Sequence, residues 1–91
     1  MRLMRWTPEA SGQLEVAVKH IRQDSPVVAR NVAQTVIDRI EQLAVFPGLG
    51  RPGEVSGTRE LVSPPYVVVY RYSEEIVEIL HIWHGAQDWR C

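Results

Sequence analysis

The chemistry this 91-residue chain could perform rests on few side chains: His20, His81 and His84, the tyrosines Tyr66, Tyr70 and Tyr72, and Arg59 and Arg71. Histidine and tyrosine can shuttle a proton, and arginine can hold a phosphate or carboxylate. Spacing limits what they can do together. His81 and His84 stand three apart in a run with strand character, so they face opposite sides of a sheet and form no close acid–base pair without a bulge. Both fit a hydrogen-bonded structural role, with His84 at the strand end the better site candidate. His20 falls on the polar side of a helix. Tyr66, Tyr70 and Tyr72 share one strand face and fit core packing. Arg59 and Arg71 fit cross-strand ion pairs with Glu60 or Glu78, or a contact to an acidic partner. Three scattered histidines and Cys91, the last residue and the single cysteine, have no metal-ligand spacing and form no internal disulfide. The stretch Gly48-Leu49-Gly50-Arg51-Pro52-Gly53 opens no helix and contains a proline, so it is no phosphate cradle; Arg51 fits a hydrogen bond to loop carbonyls.

Positioning these groups requires two kinds of element. Residues 1–6 read as a short strand. Thr7-Pro8 then supplies a cap oxygen and a first-turn proline, and Ala10, Leu14, Ala17, Val18 and Ile21 recur on one helical stripe. Ser25-Pro26 repeats that start, so one helix stops near Asp24 and another begins at once. The second carries Ala29, Val32, Ala33, Val36, Ile40, Leu43 and Ala44 and ends before Phe46-Pro47-Gly48. Helices joined this tightly fold back as an antiparallel hairpin. After a glycine-rich loop the period changes, and residues 59–62, 66–72 and 76–84 are rich in β-branched and aromatic types. Pro64-Pro65 and Ser73-Glu74-Glu75 separate them, the second as a hairpin turn. The order is β-α-α-β-β-β, an α+β fold with a helical hairpin on an antiparallel sheet. The apolar runs 67–69 and 77–82 mark central strands, with Val67, Val69 and Leu80 as candidates for apolar surface left open to a partner.

Composition narrows the class. The length suits one domain, residues 1–91. The 45% hydrophobic and 23% charged content exclude disorder. No run of 18 apolar residues exists and no apolar core follows the first arginines, so neither a membrane span nor a signal peptide is expected. The lone cysteine fits a reducing compartment, the cytoplasm. The net charge is −1, which divides into +1 before residue 58 and −2 after it. A protein living on phosphate contacts carries a basic excess, so no direct sequence-specific nucleic acid binding is expected.

Several motifs combine over nearly the whole chain: Thr7-Pro8-Glu9-Ala10 at the first helix, Phe46-Pro47-Gly48-Leu49-Gly50-Arg51-Pro52-Gly53 after the second, Arg59-Glu60-Leu61, Tyr66-Val67-Val68-Val69-Tyr70-Arg71, and a terminal His84-Gly85-Ala86-Gln87-Asp88-Trp89. Together they resemble the RelE/ParE superfamily of bacterial toxins. The resemblance implies a small cytoplasmic toxin of a type II toxin–antitoxin system, without cofactor, neutralised by a ParD-like or RelB-like antitoxin. RelE-like members cut messenger RNA on the ribosome with basic residues and a C-terminal tyrosine or histidine on the open sheet face. ParE-like members poison DNA gyrase and lack that set. By the resemblance, the RelE-type arginine of the third strand falls on Val67, the second arginine on about Gln87, and the lysines near Thr58 and Glu60.

The expected function is therefore inhibition of DNA gyrase by binding, with Trp89, Arg90, Gln87 and Arg71 as target-binding residues. The alternatives are a ribosome-dependent endoribonuclease, for which His84, Arg59 and Tyr70 are the catalytic candidates, and a degenerate toxin that only binds its antitoxin.

Overall fold

The computed structural model describes residues 1–85. The chain runs β1 (Leu3–Trp6), α1 (Pro8–Asp24), α2 (Pro26–Glu41), two short 3-10 turns, β2 (Arg51–Pro52), β3 (Arg59–Ser63), β4 (Tyr66–Tyr72) and β5 (Ile76–His84). Both helices start as their sequences dictate. The Thr7 hydroxyl accepts from the Ala10 N–H at 3.1 Å, the Ser25 hydroxyl accepts from the Val28 N–H at 3.2 Å, and a proline occupies each first turn. The apolar stripes face one way. Ala10, Val36, Ile40 and Leu43 are buried in the core, with Leu14, Ala17, Ile21 and Val32 packed against it.

The sheet has five strands in the order β1-β5-β4-β3-β2. β2 through β5 pair antiparallel, and β4 and β5 form the expected hairpin of inner strands. β1 takes the edge and runs parallel to β5, so the sheet as a whole is mixed. A parallel neighbour needs a crossover, and the helical hairpin with β2–β4 provides it.

One irregularity sets which side chain faces where. Val69 pairs with His81 but Tyr70 pairs with Ile79, so Leu80 is an extra residue, a β-bulge. The bulge keeps Val77, Ile79 and Ile82 all on the helix side despite their odd spacing, and all three are buried. It is held from the cap of α1: the Thr7 hydroxyl donates to the Leu80 carbonyl at 3.0 Å, and the Thr7 N–H donates to the Ile79 carbonyl. Beyond the end of β1, the Gln13 side chain accepts from the Ile82 N–H at 2.8 Å, replacing a missing neighbour strand.

The expected open apolar surface at Val67, Val69 and Leu80 is only partly found. Val69 is 1% exposed, because its register partners Glu60 and His81 flank it on both sides; Val67 and Leu80 are half-buried. Large apolar side chains instead face solvent at Leu3, Val16, Val45, Phe46 and Leu49.

Candidate functional site

The sheet face turned away from the helices is the surface on which this fold could assemble a site. Register and pleat sort it into rows running across the strands. Leu3 and Ile76 form one row, and Arg5, Glu78 and Arg71 the next. His81, Val69, Glu60 and Arg51 follow, and then Trp83, Val67 and Val62.

Carboxylates occupy the middle of this face and hold its cations. Arg71 donates through Nε to Glu78 at 2.7 Å, its Nη2 lies 2.7 Å from the same oxygen, and Arg5 reaches the other carboxylate oxygen at 3.6 Å. Arg51 meets Glu60, whose side chain is only 5% exposed, with Nη2 at 3.0 Å. The Arg71–Glu78 pair is the cross-strand ion pair expected from sequence. Arg51 and Arg59 exchange the roles expected of them. β2 aligns Arg51 opposite Glu60, whereas Arg59 lies one residue on, where the pleat turns it to the other face and toward the loop.

There Arg59 donates through Nε to the Gly50 carbonyl at 2.9 Å and through Nη2 to the Gly48 carbonyl at 3.3 Å. Tyr70, fully buried, secures the same loop: its hydroxyl donates to the Pro47 carbonyl at 2.6 Å and accepts from the Gly50 N–H at 2.9 Å. Burial raises the Tyr70 phenol above the ordinary tyrosine value of 10.0, against the opposing pulls of the Gly50 N–H and the Arg59 cation. A phenol that is enclosed, raised and already donating is poorly suited to proton transfer with a substrate.

His84 lies elsewhere. It pairs in register with Tyr66 at the far end of β4 and packs edge-on against that ring, centroids 5.7 Å apart. Four residues of strand, about 13 Å at 3.3 Å per residue, separate this point from Tyr70. The three catalytic candidates are not brought together: Arg59 and Tyr70 share the loop clamp, and His84 stands at the opposite end. His84 and Tyr66 instead line a groove of about 850 Å³ against α1, with Glu9, Gln13, Val16 and His20 on its helical wall. His81 occupies the other face, its ring stacked on Trp83 at 5.2 Å. The bulge lies before both histidines, so it does not bring them to one side. Gln87, Trp89 and Arg90 lie outside the described residues. Among the described residues no cluster of His, Cys, Asp and Glu is placed to hold a metal, and no helix is long and apolar enough to cross a membrane.

Two features escaped sequence reasoning. The bulge at Leu80 leaves no local signal beyond the odd spacing of Val77, Ile79 and Ile82. The clamp on residues 47–50 joins Tyr70 and Arg59 to backbone far away in sequence.

A family model described as the ParE toxin of the type II toxin–antitoxin system parDE matches residues 4–89. The protein named toxin Y4kP in Sinorhizobium fredii is 39% identical over 88 residues, which is 94% of this chain and 91% of that protein. Toxin RelE2 of Caulobacter vibrioides is 32% identical over 82 residues, covering 90% and 93%. Among solved structures, a chain of the chromosomal ParDE toxin–antitoxin system from P. aeruginosa superposes with a TM-score of 0.81 at 27% identity, covering 92% of this chain and 96% of that one.

Proposed function

This chain belongs to the ParE toxin family of type II toxin–antitoxin systems, and we propose that it acts by binding and inhibiting DNA gyrase rather than by cutting RNA. The observation that carries this reading is the pairing of cations with carboxylates on the open sheet face. Cleavage of a phosphodiester needs a base, an acid and unshared cations around a phosphate that gains charge in the transition state. Here Glu60 holds Arg51, and Glu78 lies between Arg5 and Arg71, so a scissile phosphate on this face would meet two carboxylates among its cations. Arg59 is tied to loop carbonyls and Tyr70 is enclosed; by the family resemblance, Val67 falls where the RelE-type arginine would be.

Binding a protein target makes no such demand. It needs a large anchor and a few surrounding charges. Trp89 is the proposed anchor, with Arg90, Gln87 and Arg71 around it. The cytoplasm is the compartment in which the target and a reduced Cys91 would be met. The partner that restrains the toxin is a cognate antitoxin, in keeping with the toxin–antitoxin systems to which the relatives belong. Expression of the chain in a bacterial host tests the reading: induction of the DNA-damage response with protein synthesis continuing is expected. Immediate translation arrest with cut messengers and no damage response would assign it to the ribonuclease branch.

A further inference from the structure

We propose that the two guanidinium groups of Arg5 and Arg71, with Glu78 between them, form a receptor for a carboxylate side chain of the cognate antitoxin. The inference rests on the antitoxin partnership above and is independent of which enzyme the toxin inhibits. The three residues stand in one cross-strand row on β1, β5 and β4. Arg71 engages one oxygen of Glu78, with Nε and Nη2 both at 2.7 Å from it. Arg5 lies 3.6 Å from the second oxygen, an ion pair longer than a hydrogen bond, so one carboxylate is shared by two cations.

The row carries two positive charges and one negative, a net of +1 that matches a single carboxylate. The exposed turn residues Glu74 and Glu75 make no ion pair with either arginine among the described residues. Both guanidinium groups keep donors available, their side chains being 69% and 62% exposed, while Glu78 is 15% exposed. They line a hollow of about 260 Å³ with Tyr72, Ser73 and Ile76, roomy enough for an Asp or Glu side chain. In the next row the exposed Leu3 and half-buried Ile76 offer apolar contact beside the charge. The occupant is thus an acidic residue next to an apolar one. Because Arg71 also belongs to the proposed target-binding set, an antitoxin seated here would cover part of the toxin's working surface.

Direct titration of purified toxin with its purified cognate antitoxin, by calorimetry at two salt concentrations, tests this. Arg5→Gln should weaken binding about tenfold and reduce its salt dependence, while Arg5→Lys should stay within about threefold of the parent. Glu78→Gln is the discriminating variant. It removes the competing carboxylate and should tighten binding, whereas a structural row would lose affinity or stability in that variant as well. Unchanged affinity in Arg5→Gln, or weakening in Glu78→Gln, overturns the proposal. Inhibition of gyrase, measured separately on the same variants without antitoxin, shows whether the wider functional reading stands or falls with it.

Discussion

Tyr70 uses both functions of its hydroxyl on one loop, as donor to Pro47 and as acceptor from Gly50. Tyr70→Phe removes that oxygen and leaves two backbone groups without partners, so a loss of about 1–3 kcal/mol is expected in urea unfolding. The same side chain makes stability depend on alkaline pH. Burial raises the phenols of Tyr66 and Tyr70 above 10.0. The unfolded phenol ionises first, so this contribution is complete below about pH 10 and is lost as pH rises through the folded values. The unfolding midpoint should fall above about pH 10, and Tyr70→Phe should make that fall shallower. Thr7 has a similar double role, capping α1 and holding the Leu80 carbonyl, and Thr7→Ala should cost about 1–2 kcal/mol in the same measurement. Residue types made much of this legible. A threonine before a proline announces a cap, and Arg71 and Glu78 announce a cross-strand pair. The exchange of roles between Arg51 and Arg59 was not legible, because it depends on the register of a two-residue strand that pairs only through β3.

Helices α1 and α2 and the β4–β5 hairpin follow directly from periodicity and punctuation, because each is built from local signals. β1 does not. Four residues could join either edge, and only the parallel ladder from Leu3–Ile76 to Trp6–Ile79 fixes its place. The bulge is similarly nonlocal, since it answers to Thr7, the cap of α1. The packing of loop against sheet makes a testable contrast between two glycines. A β-carbon at Gly50 would lie 2.7 Å from both the Glu60 carbonyl oxygen and the Tyr70 hydroxyl. Gly50→Ala must therefore displace the clamp and should destabilise by about 1–3 kcal/mol. Gly12, in the second turn of α1, has nothing within 4 Å of that position. Gly12→Ala should stabilise by about 0.5–1 kcal/mol, as expected for an exposed helical glycine. Paired melting curves of the two variants should show shifts of opposite sign.

At the scale of the whole molecule, the fold separates what RNA cleavage would need to unite. The Arg59–Tyr70 clamp faces the helices and the 47–50 loop, His84 stands at the opposite end of the strands, and the remaining sheet arginines are paired with carboxylates, Arg5 and Arg71 sharing one. The family was legible in the sequence because its motifs span the chain in order. The fitness of the open face for one chemistry or another was not, because it depends on which arginine meets which carboxylate across strands. The separation predicts an inhibitor that works by binding. The most direct measurement is the supercoiling of relaxed plasmid by purified DNA gyrase and ATP, titrated with the purified toxin. Supercoiled product should decline as toxin is added, and more toxin should be required with Trp89→Ala than with His84→Ala. Full supercoiling at a large molar excess of a folded toxin that still binds its antitoxin would contradict the account.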